Sequence, residues 1–360
     1  MVHRLSSKPI KIGGPDMKPR ILIIYTGGTI GMIEDAATRA LIPFDFSHLI
    51  ENVPKVKMLN YEIDNIQFHP PIDSSDMSPE RWQEIARSIA DNYSDYDGFV
   101  VLHGTDTMAY TASALSFMLD NLQKPVIITG SQLPIGEVRT DGEENLITAL
   151  QIAAAREADG SPMVQEVAIL FEDYLWRGNR ATKRSADNFN AFKSGNYHHL
   201  AKVGLSINYF RDALMRHKAA APLNPQYNLD TSVMAIDLFP GLSEKTLRHL
   251  LSTPDIKGVV LRTYGAGNAT TAQWFLDLIK DTVDRGIVVL NVTQCAYGSV
   301  QQSRYLAGDV LASAGVISGY DITFEAAVTK MMFLFGLGLD STQVKYYLER
   351  PLAGEMTVSE

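Results

Sequence analysis

Apolar, β-branched runs alternate along the chain with segments of helical periodicity. The runs predicted as strands cover residues 21–25, 98–103, 125–129, 166–171, 232–238, 257–262 and 287–292. Strands that alternate with helices are typical of βα units, in which most neighbouring strands run parallel. The pattern therefore predicts an α/β protein of two α/β domains, with a larger N-terminal mixed sheet carrying helices on both faces and a smaller C-terminal parallel sheet.

Two helical segments bear on the candidate chemistry. The first is predicted to begin at Ser78, because serine is a common cap and Pro79 suits the first helical position. An apolar face that includes Trp82 follows it. The second, residues 108–122, is apolar almost all round, which predicts a helix buried against its sheet.

The strand and helix pattern is interrupted once. Residues 208–230 contain Ala-Ala-Ala-Pro-Leu-Asn-Pro and scattered polar residues, which predicts an interdomain linker. Residues 1–20 carry basic residues without the apolar segment of a secretory signal, so we expect a flexible extension. The predicted division is an N-terminal catalytic domain over 21–207 and a C-terminal domain over 231–360.

Composition narrows the classes of partner. The chain has 360 residues, 46% of them hydrophobic, and a formal net charge of -9, so nothing resembles the basic footprint of a nucleic-acid-binding protein. The apolar stretch 326–339 is too short to span a bilayer. The lone cysteine, Cys295, fits a reducing compartment. We expect a cytoplasmic protein that binds small molecules, with no nucleic acid and no membrane partner.

Two turns follow predicted strands and carry hydroxyl groups. Residues 25–31 read Tyr-Thr-Gly-Gly-Thr-Ile-Gly, and residues 103–107 read His-Gly-Thr-Asp-Thr. Ligands of open α/β sheets bind at the carboxyl ends of strands, so two such turns favour one shared pocket. Each turn alone is also consistent with a purely structural role.

The hydroxyl of Thr29 is the first candidate nucleophile, and such a hydroxyl needs a base that takes its proton. Thr105 and Asp106 offer a second hydroxyl and an anion for a ligand ammonium, although a Thr-Asp pair often only caps a helix. Lys183 is a candidate basic partner, while an isolated lysine is usually a solvated surface group. Residues 73–76, Asp-Ser-Ser-Asp, precede a helix and offer donors for a carboxylate, or form an ordinary polar loop.

Five motifs together resemble the type I, cytoplasmic bacterial L-asparaginases, of the asparaginase/glutaminase family. They are the segments 25–32, 73–77, 102–119, 177–183 and 291–295. The resemblance implies an amidohydrolase that converts L-asparagine to L-aspartate and ammonia in asparagine catabolism. It also implies a homo-oligomer, either a homodimer or a homotetramer, and no cofactor or metal.

The resemblance also implies roles for single residues. Thr29 matches the nucleophile, which forms a β-aspartyl ester that water then hydrolyses. Thr105, Asp106 and Lys183 match the second catalytic group, and Ser74 matches a residue that binds the substrate α-carboxylate. The predicted substrate-binding set is Asp73, Ser74, Ser75, Thr105 and Asp106. Tyr305 matches a tyrosine that some type I relatives place near the active site, and it joins the predicted catalytic set.

One stretch of the chain departs from the family pattern, and another set of residues matches an optional site of the family. Secreted relatives and some type I enzymes carry a tyrosine in the lid after the first strand, whereas residues 40–43 of this chain read Ala-Leu-Ile-Pro. Type I relatives can also carry a second asparagine site that activates the enzyme. The matching allosteric set is Thr182, Arg262, Asn268 and Cys295.

Four alternatives remain open. Within the same chemistry, the substrate could be glutamine or a small asparaginyl peptide. A related amidotransferase subunit acts on glutamyl-tRNA, but the net charge opposes RNA binding. A nucleotide site at residues 265–270 lacks the third glycine of the dinucleotide fingerprint. A sensor that binds asparagine without turnover would retain ligand binding and release no ammonia.

Overall fold

The structure is a computed structural model that describes residues 2–5, 18–34, 41–43, 51, 53–216, 221–301 and 306–358. The chain divides into two compact units. One comprises Met1–Ser194 with His198–Tyr227, and the other comprises Gly195–Tyr197 with Asn228–Glu360. Of the candidate catalytic residues, Thr29, Thr105, Asp106 and Lys183 fall in the first unit.

The first unit contains fifteen strands within the described ranges. They are β1 (Val2–Leu5), β2 (Arg20–Gly27), β3 (Met32–Glu34), β4 (Leu41–Pro43), β5 (Glu62–Ile72), β6 (Gly98–Leu102), β7 (Leu119–Asp120), β8 (Val126–Thr129), β9 (Val167–Phe171), β10 (Tyr174–Arg177), β11 (Thr182–Lys183), β12 (Phe192–Lys193), β13 (Ala201–Val203), β14 (Ile207–Tyr209) and β15 (Asn224–Pro225). Its described α-helices are α1 (Pro79–Ala90), α2 (Met108–Met118) and α3 (Gly142–Ala154).

Nine of these strands form one mixed sheet. The order within the described residues is β1-β5-β2-β6-β8-β9-β10-β13-β14. The central pairs from β5 to β9 are parallel, and the outer pairs at both ends are antiparallel. The predicted larger mixed sheet is therefore confirmed.

The centre of the sheet is buried on both faces. All five residues of the run 21–25 in β2 are fully buried or nearly so, as are all five of β6. A strand covered on both faces has no polar face, which explains why these segments are continuous apolar runs instead of alternating ones. The core of the first unit therefore lies directly beneath the turns that follow these strands.

Helices α1 and α2 differ in detail from their predicted forms. Ser78 precedes α1 and Pro79 is its first residue, but the Ser78 hydroxyl donates to Glu80 Oε2 at 2.6 Å instead of capping the backbone. Helix α2 ends at Met118, earlier than the predicted residue 122, because the next two residues form β7 and pair with β15. The early end of α2 is therefore due to strand pairing over a long sequence distance.

The second unit contains a smaller sheet that is entirely parallel within the described residues. Its strands, in spatial order, are β16 (Val233–Asp237), β17 (Gly258–Thr263), β18 (Val288–Thr293) and β19 (Ile317–Ser318). Its helices are α4 (Glu244–Leu251), α5 (Gln273–Asp284), α6 (Leu306–Ser313), α7 (Phe324–Gly336) and α8 (Ser341–Leu348). The predicted smaller parallel sheet is confirmed, and with it the fold class.

The predicted linker, residues 208–230, includes β15 and the last two residues of β14. None of the helices in the described part of the chain combines the length and apolarity needed to cross a bilayer.

Candidate active site

Three neighbouring parallel strands bring the predicted hydroxyl residues to one edge of the sheet. Strand β2 lies between β5 and β6, and both pairings are parallel. Ser74, Thr29 and Thr105 each follow the carboxyl end of one of these strands within three residues. Segments far apart in sequence therefore meet where an α/β sheet ordinarily binds its ligand.

Two glycines allow the turn before Thr29 to approach its neighbours. Gly27 and Gly28 have φ angles of 134° and 89°, which side chains rarely adopt. A Cβ atom on Gly27 would clash with the Ile72 carbonyl, and one on Gly28 would clash with the Gly104 amide nitrogen. The backbone before Thr29 thus lies directly against the backbone before Thr105.

Hydrogen bonds fix the same turn to the core. Thr26 Oγ1 donates to the Leu102 carbonyl at 2.8 Å, which links β2 to the end of β6. The Tyr25 hydroxyl donates to the Gly31 carbonyl at 2.9 Å, and Tyr25 is fully buried. Thr29 itself begins a short 3₁₀ turn and is half-buried, so it lies near the surface of the unit.

Lys183 joins the second turn. Its Nζ donates to Thr105 Oγ1 at 2.8 Å and to Asp106 Oδ1 at 2.6 Å. Thr105 is 8% exposed, whereas the side chains of Lys183 and Asp106 are 17% and 66% exposed. The three residues predicted to form the second catalytic group are therefore in direct contact.

This contact adds little to the free energy of unfolding, but its geometry can transfer a proton. An ion pair with one strongly exposed partner contributes only about 0–1 kcal/mol. As an ammonium, Lys183 donates to the oxygen of Thr105, and as a neutral amine it can accept the hydroxyl proton instead. The same geometry therefore permits proton transfer between the two side chains without further movement.

Gln132 is a site residue that the sequence analysis did not identify. Thr105 Oγ1 donates to Gln132 Oε1 at 3.4 Å, and Gln132 Nε2 donates to the Asn188 carbonyl at 3.0 Å. The backbone amide nitrogen of Gln132 donates to both carboxylate oxygens of Asp141, at 3.0 and 2.9 Å. Gln132 follows β8, so polar residues after a predicted strand were the signal that could have identified it.

His103 also lacked a predicted role, although it lies in the second turn. Its side chain is fully buried, and its two ring nitrogens lie 2.6 Å from the Gly104 carbonyl and 2.8 Å from Thr111 Oγ1. Trp82 Nε1 donates to the same Thr111 oxygen at 2.9 Å. Burial lowers the pKa of His103 to about 4, so the imidazole is neutral at physiological pH.

The predicted carboxylate-binding segment forms a 3₁₀ turn. The Asp73 carboxylate accepts bonds from the amide and the hydroxyl of Ser75, both at 2.9 Å. Ser74 is 5% exposed, and its carbonyl accepts a bond from Thr107 Oγ1 at 2.7 Å. A Cβ on Gly104 would lie 2.6 Å from Ser74 Oγ, so the Ser74 hydroxyl faces the second turn. Asp73 and Ser75 lie on the exposed side of the segment.

In the second unit, Arg262 lies near the carboxyl end of β17. Its Nη1 is 3.0 Å from Asp237 Oδ1, and its guanidinium is 4.7 Å from the centre of the Phe324 ring. Within the described residues, its buried Nε has no hydrogen-bond partner. The guanidinium is thus held in place, while its buried Nε has no acceptor within the described residues.

The other predicted allosteric residues fall into both units. Asn268 pairs with Tyr264 through backbone bonds in the turn after β17, and Cys295 is exposed after β18. Thr182 belongs to the first unit. Tyr305, predicted as catalytic, lies outside the described residues.

The side chains of the described ranges include no group of three or more His, Cys, Asp or Glu residues that could hold a metal ion.

Family models match both units. A model described as Asparaginase, N-terminal matches residues 20–215, and one described as Glutaminase/Asparaginase C-terminal domain matches residues 232–348. Together these matches extend over most of the chain.

Individual proteins show the same similarity. L-asparaginase 1 of Escherichia coli (strain K12) is 43% identical over 348 residues, which cover 94% of this chain and 98% of that protein. The crystal structure of L-asparaginase I from Vibrio cholerae has a TM-score of 0.86 and 40% identity, and the match covers 95% of this chain and 100% of that one. The thermostable L-asparaginase from Thermococcus kodakarensis has a TM-score of 0.83 and 34% identity over 94% of this chain and 100% of its own.

Proposed function

This chain belongs to the asparaginase family and is an amidohydrolase, and on that premise we propose that it hydrolyses L-asparagine to L-aspartate and ammonia. The single observation that carries the proposal is the contact of Lys183 with Thr105 and Asp106, in a turn packed against the one that bears Thr29. Such a pair of turns supplies a nucleophilic hydroxyl, a proton acceptor and an anion in one place.

The reaction proceeds in two steps. In the first, Thr29 Oγ attacks the side-chain amide carbon, the C–N bond breaks, and ammonia leaves with a proton that originates from the hydroxyl. The product of this step is a β-aspartyl ester of Thr29. Water then attacks the ester carbon, the C–O bond breaks, and L-aspartate leaves as Thr29 regains its proton. Two easier steps replace one difficult hydrolysis.

Thr105, Lys183 and Asp106 manage the protons. A neutral Lys183 accepts the proton of Thr105 across their 2.8 Å contact while Thr105 takes one from the attacking group. Asp106 holds the Lys183 Nζ in line for that exchange. Gln132 supports the arrangement, since its Oε1 lies within reach of the Thr105 hydroxyl.

Substrate binding uses the charges of the amino acid. The exposed carboxylate of Asp106 attracts the α-ammonium group, and the Ser74 hydroxyl donates to the α-carboxylate. Asp73 binds indirectly, because it fixes the Ser75 amide and hydroxyl at the start of the 3₁₀ turn. Backbone amides in the glycine-containing turns stabilise the oxyanion that forms on the amide oxygen.

We also retain a second asparagine site as a proposal. The Nε of Arg262, which has no partner within the described residues, supports a carboxylate-binding site near the carboxyl end of β17. Cys295 remains a sequence-based prediction for this site. Asn268 lies in the turn after β17. Thr182, in the first unit, remains a sequence-based member of the predicted allosteric set. Sigmoidal dependence of rate on asparagine concentration, converted to a hyperbola by Arg262→Met, is the expected signature of activation.

The proposal includes an oligomeric state and a cellular location. The family resemblance favours a homodimer or homotetramer located in the cytoplasm, acting on a free amino acid. Sedimentation analysis of the full chain tests the assembly. Tyr305 remains a predicted catalytic residue.

The test measures ammonia release from L-asparagine, with L-glutamine in parallel. We expect rapid turnover of asparagine, abolition by Thr29→Ala and partial retention by Thr29→Ser, which keeps the hydroxyl. Denaturation during turnover traps the ester, which mass spectrometry locates on the peptide that contains Thr29. Undiminished turnover by Thr29→Ala contradicts the nucleophile, whereas asparagine binding without ammonia release favours a sensor.

A further inference from the structure

His103 is a fully buried histidine within the turn that carries Thr105. Its imidazole lies beneath that turn, between the Gly104 backbone and helix α2. A fully buried imidazole with a pKa near 4 is unsuited to general acid–base work at neutral pH. Any contribution of His103 to the reaction must therefore come from the hydrogen bonds by which its imidazole holds neighbouring groups in place.

The hydrogen bonds around His103 run in only one direction. The Trp82 indole can only donate, so it gives its proton to Thr111 Oγ1. The Gly104 carbonyl can only accept, so His103 Nδ1 must carry a proton. In a neutral imidazole the other nitrogen, Nε2, is then an acceptor, and it receives the Thr111 hydroxyl proton. We call this chain, from Trp82 through Thr111 and His103 to the Gly104 carbonyl, the histidine relay.

The histidine relay sets the orientation of one peptide group. A trans peptide is planar, and its carbonyl and its N–H point in opposite directions. The Gly104 carbonyl points toward the buried imidazole, so the N–H of Thr105 points to the other side of the turn. Within the described residues, that N–H donates to no protein acceptor.

The neighbours of this peptide indicate what the N–H faces. Gly28 contacts Gly104 from one side, and the Ser74 hydroxyl approaches Gly104 from another. Thr105 carries the hydroxyl that Lys183 contacts. The N–H of Thr105 is thus a preorganised donor among the groups proposed to bind the reacting amide.

We propose that His103 is a positioning residue for asparagine hydrolysis, which turns the Gly104–Thr105 peptide so that the Thr105 N–H stabilises the oxyanion. This inference rests on the proposed function. Removal of one such donor lowers the rate by about 10²–10³-fold in other enzymes, which sets the scale of the effect. Rotation of the peptide would remove the donor without altering any side chain that touches substrate.

Two substitutions separate the halves of the histidine relay. In His103→Asn the amide nitrogen reaches the position of Nδ1 and can donate to the Gly104 carbonyl. In His103→Gln the longer side chain reaches the position of Nε2 and keeps only the Thr111 contact. Each variant loses one of the two imidazole bonds, so we expect similar losses of thermal stability.

The expected kinetic results differ. His103→Asn should keep kcat for asparagine within a few-fold of the wild type, whereas His103→Gln should lose kcat by about 10²-fold with little change in KM. Equal losses of kcat in the two variants, or losses of kcat that follow the losses of thermal stability, would overturn the proposal. Absence of turnover in the wild type would instead contradict the proposed function.

A spectroscopic measurement tests the histidine relay without turnover. Nitrogen-15 NMR of the labelled wild type distinguishes protonated from unprotonated ring nitrogens. At pH 7 we expect His103 as a neutral imidazole with its proton on Nδ1, and Thr111→Val should weaken that preference. A proton on Nε2 in the wild type would overturn the inference, since the Gly104 carbonyl would then have no donor from the ring.

Discussion

Lys183 Nζ donates to Thr105 Oγ1 at 2.8 Å, across a separation of 78 residues. Lys183 lies in β11, which pairs with β12 in a short hairpin. The same nitrogen lies 2.6 Å from Asp106, the residue next to Thr105. Two segments with no local relation in sequence thus meet in one hydrogen-bonded contact.

Replacing Lys183 with methionine should remove that contact and retain most of the side-chain volume. We expect kcat for L-asparagine to fall by about 10²–10⁴-fold, the usual range for a lost general base. Lys193→Met is the matched control, because Lys193 lies on the partner strand of the same hairpin with an exposed side chain. Comparable loss in both variants would indicate damage to the hairpin and contradict the assigned role.

The sheet could be predicted from the sequence because its central strands are continuous apolar runs. The run at 21–25 is fully buried in β2, and the residues after it form the expected turn. The same logic placed Thr29 and Thr105 at strand ends. Ser74 was predicted only to precede a helix, because β5 is not a continuous apolar run and was not among the predicted strands. Sequence reasoning offered Lys183 only as a candidate basic partner, and the family resemblance assigned it to the second catalytic group, since strand pairing over long sequence distances leaves no local pattern.

Replacing Ser74 with alanine should weaken substrate binding. A hydrogen bond to a charged group contributes about 1.5–3 kcal/mol, so KM for L-asparagine should rise about tenfold or more while kcat changes less. Ser78→Ala is the control, because that hydroxyl is bonded to Glu80 in the following helix. An unchanged KM in Ser74→Ala would remove Ser74 from the carboxylate-binding site.

Alanine substitutions at two glycines separate the effect of a backbone clash from the effect of conformational strain. Gly28 and Gly160 have similar φ angles, 89° and 84°, but only Gly28 has atoms within reach of an added Cβ. Gly160→Ala should reduce the free energy of unfolding by about 1–2 kcal/mol, the cost of a left-handed residue. Gly28→Ala should cost more and abolish turnover, because its methyl group would displace the Gly104 backbone. Equal losses by urea unfolding would show that the close approach carries no constraint.

Lys330 and Glu355 form a buried ion pair in the second unit. Their side chains are both 0% exposed and 2.7 Å apart, and Glu355 also accepts from the Leu352 and Ala353 amides. Burial lowers the pKa of Lys330, while Glu355 opposes that shift. The pair therefore anchors the segment near the C-terminus to α7.

Glu355→Gln should leave the Lys330 ammonium buried without its counterion. We expect the free energy of unfolding to fall by about 3–5 kcal/mol, the usual cost of breaking a buried pair. The exposed pair of Lys280 and Asp284 has the same 2.7 Å separation, so Asp284→Asn is the matched control and should cost less than about 1 kcal/mol. Similar losses in both variants would mean that burial does not set the strength of the pair.

The residues that the sequence analysis did not identify are held by side-chain contacts that leave no local sequence pattern. Thr111 lies in a helix that is apolar almost all round, and nothing in that pattern distinguishes a threonine bonded to His103 from one that only fills space. Gln132 carried the same signal as the recognised turns, a polar residue after a predicted strand. Its contacts with Thr105 and Asn188, however, depend on how distant segments pack.

His103 also predicts how stability depends on pH. Its pKa is about 4 in the folded protein and about 6.5 in the unfolded chain, so between these values the unfolded chain binds a proton that the folded protein does not. The free energy of unfolding therefore falls as the pH drops through this window, by about 3 kcal/mol from this one group. That contribution is fully present above pH 6.5 and absent below pH 4.

A comparison with His103→Asn isolates this contribution, because all other titrating groups are shared. Asparagine does not titrate, so the wild type should lose its stability advantage over the variant by about 3 kcal/mol between pH 7 and pH 4. Urea unfolding at half-unit steps of pH measures both curves. Parallel curves would mean that His103 binds its proton equally in both states, which contradicts a neutral imidazole held by Thr111 and the Gly104 carbonyl.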